Sequence, residues 1–204
     1  MKLYMIRHGE SEHNKFLRDA TENKKSGIGS SSSVDSRDLP LTEEGTEQIK
    51  KVMQKLPDHI DFFYCSEHIR TQQSADIMQE KYPNIPYQID KRMNASFCGE
   101  LDHKSFDEMQ ELTGIDFQKA VNDDTFDFRP WGGESAKDIH SRVKDFLREL
   151  LEEHADDVIL IVASVESIKS TYYNLFGDIA PTLTRHLRIK NGSLHEFTIT
   201  KDNI

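Results

Sequence analysis

The sequence predicts an α/β fold with a mainly parallel sheet and helices on both faces. Two observations carry that prediction. Apolar runs lacking polar alternation recur far apart, at Leu3–Ile6, Ile60–Cys65 and Val158–Val162, as strands covered on both faces read. Between them lie stretches whose apolar residues repeat at helical spacing, and strands separated by helices pair in parallel.

Each element has its own signal. Lys2–Ile6 reads as a short buried strand broken by Arg7-His8-Gly9. Ile49, Val52, Met53 and Leu56 recur at i, i+3, i+4 and i+7, behind Thr42 as N-cap and Glu43 and Glu44 in the first turn. Ser105-Phe106-Asp107-Glu108 has the form of a capping box. Ile139, Val143, Phe146, Leu147, Leu150 and Leu151 form a longer stripe, with Ser135 as its cap. Val158–Val162, rich in β-branched residues, fits a central parallel strand. The chain is expected to be one domain, 1–204, with a flexible Ser/Gly-rich insertion at about 19–38 that is either a solvated loop or a lid.

Composition excludes several partners. With 26 Lys and Arg against 36 Asp and Glu, the formal charge is −10, so nucleic acid and anionic membranes are repelled by the averaged field. An anionic ligand therefore needs a local basic pocket. No leader or membrane span is expected, because Leu3–Ile6 is too short for either. Cys65 and Cys98 read as thiols in a reducing cytoplasm, and no short Cys/His spacing predicts a metal site.

In an open parallel sheet, ligands bind beyond the carboxyl ends of the strands. That rule selects Arg7-His8-Gly9-Glu10-Ser11 with Asn14, then Ser66-Glu67-His68-Ile69-Arg70, then Ala163-Ser164-Val165-Glu166. An arginine beside a histidine fits phosphate chemistry: a guanidinium holds phosphate oxygens while an imidazole attacks phosphorus. Arg70 would add a second fork of donors.

Leu3 to Ser11 with Asn14, Leu41-Thr42 with Gly45, Ser66 with Arg70, Gln73 and Ala75, Gly133-Glu134-Ser135 with Arg142, and Asn191-Gly192-Ser193 follow one another in register. This series resembles the histidine phosphatase superfamily, in its phosphoglycerate-mutase-like branch. The resemblance implies a three-layer α/β/α sandwich and a transient phosphohistidine at His8. It also implies a phosphoryl clamp of Arg7 and Arg70 with Asn14 as a further contact, a small phosphorylated substrate, and no metal or organic cofactor. Gly9 would permit close backbone approach.

Two positions depart from the family pattern. The second histidine is replaced by Ser164, or by Val165 if the loop is counted from its other end. Ala95 stands where a glutamate often protonates the leaving oxygen. A general acid is worth ~10²–10⁴ in rate and a charge-stabilising donor ~10²–10³. Glu166 is the first choice to replace the acid, ahead of Glu100 and Asp102, and Ser164 is the expected phosphate contact in place of the histidine. The expectation is a phosphomonoesterase of reduced rate; the alternative is a catalytically impaired relative that binds a phosphorylated ligand in the arginine pocket. Mutase activity ranks third, since Cys98 stands where that branch carries tyrosine. Selectivity is assigned to Ser26–Ser36 and Ala95–Phe128, and Trp131 is placed either at the entrance or in the core.

Overall fold

The computed structural model describes residues 1–22, 36–102, 104, 106–116, 119–120, 125–177 and 188–204. Five strands form one sheet in the order β3-β2-β4-β1-β5. They are β1 (Lys2–Arg7), β2 (Phe62–Cys65), β3 (Gln88–Ile89), β4 (Val158–Ala163) and β5 (Leu194–Thr198). β1, β2, β3 and β4 run parallel, and β5 joins β1 antiparallel at the edge. The principal helices are α1 (Glu12–Glu22), α2 (Glu43–Met53), α3 (Ile69–Gln79), α4 (Phe106–Thr113), α5 (Ala136–Glu153) and α6 (Val165–Phe176).

Side chains on the sheet alternate between two cores, as the two-residue strand period requires. Leu3 and Met5, with Ile159 and Ile161, pack against Ile139, Val143, Phe146, Leu147 and Leu150 of α5 and Ile168 of α6. Tyr4 and Ile6, with Leu160 and Val162, pack against Ile49 and Val52 of α2 and Ala75 and Met78 of α3. The result is the expected α/β sandwich.

Register matters most for function. Arg7 pairs with Ala163, and Cys65 pairs with Val162. The three central strands therefore end level, and the loops after them open onto one crevice.

Thr42 caps α2 by accepting from the Gly45 N–H at 3.0 Å. Ser135 and Asp138 form a reciprocal capping box on α5. β2 starts two residues later than Ile60, because the Asp61 carboxylate accepts from the Val158 N–H at 2.8 Å and takes the place of a ladder carbonyl. Ile60 is nevertheless fully buried, as is Leu56 beyond the end of α2. Helix α1 was not expected: it runs through Glu22 and so covers the first residues of the predicted insertion. Ser36–Asp38 at the insertion's other end form a 3₁₀ turn, and the Ser26–Ser33 run lies outside the described residues, as does Ser105. Among the described residues, no helix is long and apolar enough to cross a membrane.

Candidate active site

The loop after β1 is held from several sides. The His8 N–H donates to the Ala163 carbonyl at 3.2 Å, extending the β1–β4 ladder by one residue. The Gly192 N–H donates to the carbonyls of Arg7 and His8 at 3.0 and 3.2 Å. Asn191 Nδ2 reaches the His8 and Gly9 carbonyls at 3.1 and 3.3 Å. From α3, Ser74 Oγ accepts from the Gly9 N–H at 3.2 Å. A Cβ on Gly9 would stand 2.3 Å from the Gly45 carbonyl oxygen, and one on Gly45 would stand 2.1 Å from that of Glu10. Only glycines at both positions let α2 come this close to the loop.

His8 is 3% exposed. Its Nδ1 lies 2.7 Å from the Gly9 carbonyl oxygen, which can only accept, so Nδ1 carries the proton. Nε2 then bears the lone pair, and it accepts from Arg70 Nε at 3.1 Å. Burial holds the imidazole pKa well below its usual range. The charges of Arg70 and Arg7 add to that effect, and the Gly9 bond opposes it. Above mildly acidic pH, His8 is thus neutral, with its nucleophilic nitrogen turned to a guanidinium.

Two arginines frame this nitrogen. Arg70 is buried, and its Nη2 contacts His68 Nδ1 at 3.0 Å. Arg7 donates from Nη1 to the Ile189 carbonyl at 2.7 Å. Its Nε is buried and has no hydrogen-bond partner among the described residues. Burial also lowers the Arg7 pKa, an effect the Glu166 charge opposes. A buried cationic donor without an acceptor is the counterpart of an anion.

The neutral state of His8 has a consequence for stability. In the unfolded chain a histidine takes up a proton near pH 6.5, whereas in the fold His8 resists it. Its contribution is therefore complete above about pH 6.5 and is lost as pH falls, by up to about 1.4 kcal/mol per pH unit. His13 and His195, whose pKa values are also lowered, act in the same direction. Urea midpoints are expected to fall between pH 7.5 and 5.5, and less steeply in His8→Asn; equal slopes would show that His8 is not held neutral.

The other predicted residues divide. Asn14 braces the loop: its Oδ1 accepts from Ser11 N–H at 3.3 Å, Ser11 Oγ at 3.1 Å and Asn191 Nδ2 at 3.0 Å. Its carboxamide NH₂ has no hydrogen-bond partner among the described residues. Ser164 is 1% exposed and caps α6, its Oγ accepting from the Ser167 N–H and lying 3.2 Å from Ser167 Oγ. Its oxygen thus helps to start the helix. Glu166, in the first turn of α6, is half-buried, and its charge acts on Arg7, His13 and Cys98. Glu100 is exposed, and Asp102 Oδ1 accepts from the Cys98 N–H at 3.2 Å. Trp131 packs against the α5 core. Glu10, though next to the loop, is buried in an ion pair with Arg18 and accepts from Thr42 Oγ1 at 3.1 Å.

Sequence reasoning assigned no role to His13, His68 or Asn191. Burial and then the Arg70 charge lower the His13 pKa, and the Glu166 charge opposes them. Beside His68 and Arg70 opens a cavity of about 420 Å³, lined in part by Asn94, Ala95 and Phe97. Arg142 fixes that wall by donating to the carbonyls of Asn94 and Ala95 at 2.9 and 3.2 Å.

Comparison with known proteins bears on the family and the fold. The chain is 28% identical over 180 residues to phosphoserine phosphatase 1 of Hydrogenobacter thermophilus, covering 87% of this chain and 77% of that one. It is 26% identical over 182 residues to the phosphoglycerate mutase of Schizosaccharomyces pombe, covering 86% and 79% respectively. The structure of Bacillus stearothermophilus YhfR shares the fold, with a TM-score of 0.78 and 20% identity over 98% of this chain and 92% of that one. Residues 3–204 match the profile of the histidine phosphatase superfamily (branch 1), nearly the whole chain, and the chain belongs to that superfamily.

Proposed function

We propose that the protein hydrolyses a small phosphomonoester through a phosphohistidine at His8, at a rate reduced by the residues at positions 95 and 164. The observation that carries this reading is the unprotonated Nε2 of His8, set by the Nδ1 bond to Gly9 and facing Arg70. The name of the Hydrogenobacter thermophilus relative, a phosphoserine phosphatase, supports the class of substrate.

In this mechanism Arg70 turns from His8 Nε2 to a phosphoryl oxygen, and Arg7 Nε gains the acceptor it lacks. Nε2 attacks phosphorus and the bond to the leaving oxygen breaks. Glu166, in its protonated form, delivers the proton to that oxygen. Water then attacks phosphorus, the phosphorus–nitrogen bond breaks, and Glu166 takes the proton of the water. The guanidinium groups stabilise the charge that builds on the phosphoryl oxygens. No group at position 95 can share the proton transfer, and the Ser164 hydroxyl already serves α6. These two facts favour, as the second reading, a protein that binds phosphoesters without turning them over.

Intact-mass measurement after exposure to a reactive phosphodonor tests the mechanism. One phosphoryl group is expected, and peptide mapping should place it on His8. No label, or a label elsewhere, would overturn the covalent route; calorimetric binding of inorganic phosphate without labelling would establish the second reading.

A further inference from the structure

His68 breaks a local rule. It stands at the N-cap of α3 on extended backbone, yet its side chain makes no capping hydrogen bond. That position usually carries a short side-chain acceptor turned back onto the first N–H groups of the helix. The buried imidazole of His68 turns instead to Arg70, where its Nδ1 lies 3.0 Å from the guanidinium Nη2. A guanidinium can only donate, so Nδ1 accepts and carries no proton.

The backbone beneath this imidazole is tied on both sides. The His68 carbonyl accepts from the Thr71 and Gln72 N–H groups at 3.0 and 3.1 Å. Just before it, the Glu67 N–H donates to Asn94 Oδ1 at 3.0 Å and the Glu67 carbonyl accepts from Gln72 Nε2 at 2.7 Å. A short, stiff side chain on such a base is a fixed point. Arg70 has a long stem, and its root is held where its carbonyl accepts from Ser74 Oγ at 2.7 Å. At its tip, Nε donates to His8 Nε2 at 3.1 Å and Nη2 donates to His68. The first of these contacts must open before His8 can give its lone pair to phosphorus; the second need not. An imidazole also suits the purpose chemically. A carboxylate in its place would hold the guanidinium as firmly while cancelling the charge that a phosphoryl group needs, whereas a neutral lone pair orients the cation and leaves its charge available.

We propose that His68 is the positioning residue of Arg70: its Nδ1 anchors Nη2 while Nε moves from His8 to a phosphoryl oxygen, and it does so without neutralising the guanidinium. The inference rests on the phosphomonoester reading at His8 and adds to it the group that fixes the path of the arginine.

A set of substitutions separates this role from packing and from capping. His68→Asn keeps a neutral acceptor near the place of Nδ1, His68→Asp has the same shape with a charge, and His68→Leu fills the space without an acceptor. With 4-nitrophenyl phosphate, kcat/KM is expected to fall by about 10²-fold in His68→Leu, the cost of a misplaced group. His68→Asn should recover it to within about fivefold of the native protein. His68→Asp should bind inorganic phosphate at least about tenfold more weakly than His68→Asn, since its charge opposes the anion. Asn and Asp are both favoured N-caps, and Asp suits the helix dipole better, so a residue that merely starts α3 would not rank them in this order. Native activity in His68→Leu, or equal phosphate affinity in the Asn and Asp variants, would overturn the inference. If the native protein hydrolyses no ester, the phosphatase reading fails, and calorimetry with inorganic phosphate still decides the role of His68. Similar affinity in the native protein and His68→Asn, with weaker binding in the Leu and Asp variants, supports the inference; equal affinity across the series refutes it.

Discussion

Replacing His8 by alanine is expected to lower phosphoesterase turnover by at least ~10⁴-fold, in line with removal of a nucleophile from a unit of interdependent groups. The size follows from the division of labour in the crevice. Arg7 and Arg70 can still hold and polarise a phosphoryl group, but without Nε2 the attacking species must be an unpositioned water. The Gly9 carbonyl would lose the Nδ1 donor and keep Asn191 Nδ2 at 3.3 Å, so the loop retains a tie. His8→Asn presents a short amide donor towards the same carbonyl and serves as the companion variant. Both should be folded by circular dichroism and both inactive toward an aryl phosphate. Activity surviving in either folded variant would remove His8 from the reaction.

Glu166→Gln should show a different pattern. With an alkyl phosphate, whose leaving alkoxide needs a proton, kcat is expected to fall by ~10²–10³-fold, the ordinary value of a general acid. With 4-nitrophenyl phosphate, whose leaving group departs as a stable anion, the loss should be less than about fivefold. Ala95→Glu in the same background should recover part of the alkyl ester activity, since position 95 lines the cavity beside Arg70. If both esters lost equally, Glu166 would be balancing the charge of buried Arg7 and not moving a proton.

The residues that could be read from sequence share one property: their meaning is local. β4 announces itself because Ile159 to Ala163 are all buried, so no polar face interrupts the run. Arg7 and His8 stand at a strand end, and Arg70 in the first turn after another, so the strand-end rule finds them. β5 alternates buried and exposed residues as an edge strand should, but one of its buried members is His195, which hides the pattern. β3 has two residues and no readable period. Ser164 reads as a phosphate contact because it occupies the place of the second histidine, and a serine there is equally the natural cap for the helix that follows. Asn191 had no legible role because it acts on backbone carbonyls 183 and 182 residues away. Distance in sequence conceals such a brace, and side-chain chemistry alone cannot disclose it.

That brace also orders events in time. The loop bearing His8 belongs to the first strand, yet the turn that pins its carbonyls precedes the last. A nascent chain that has emerged only as far as α6 would possess Arg7, His8, Arg70 and Glu166 and still lack the clasp at Asn191 and Gly192. Contacts spanning so much polypeptide close slowly, because a large loop entropy must first be overcome. Recovery of enzymatic competence during refolding should therefore lag behind recovery of helical signal, and catalysis becomes a readout of finished assembly.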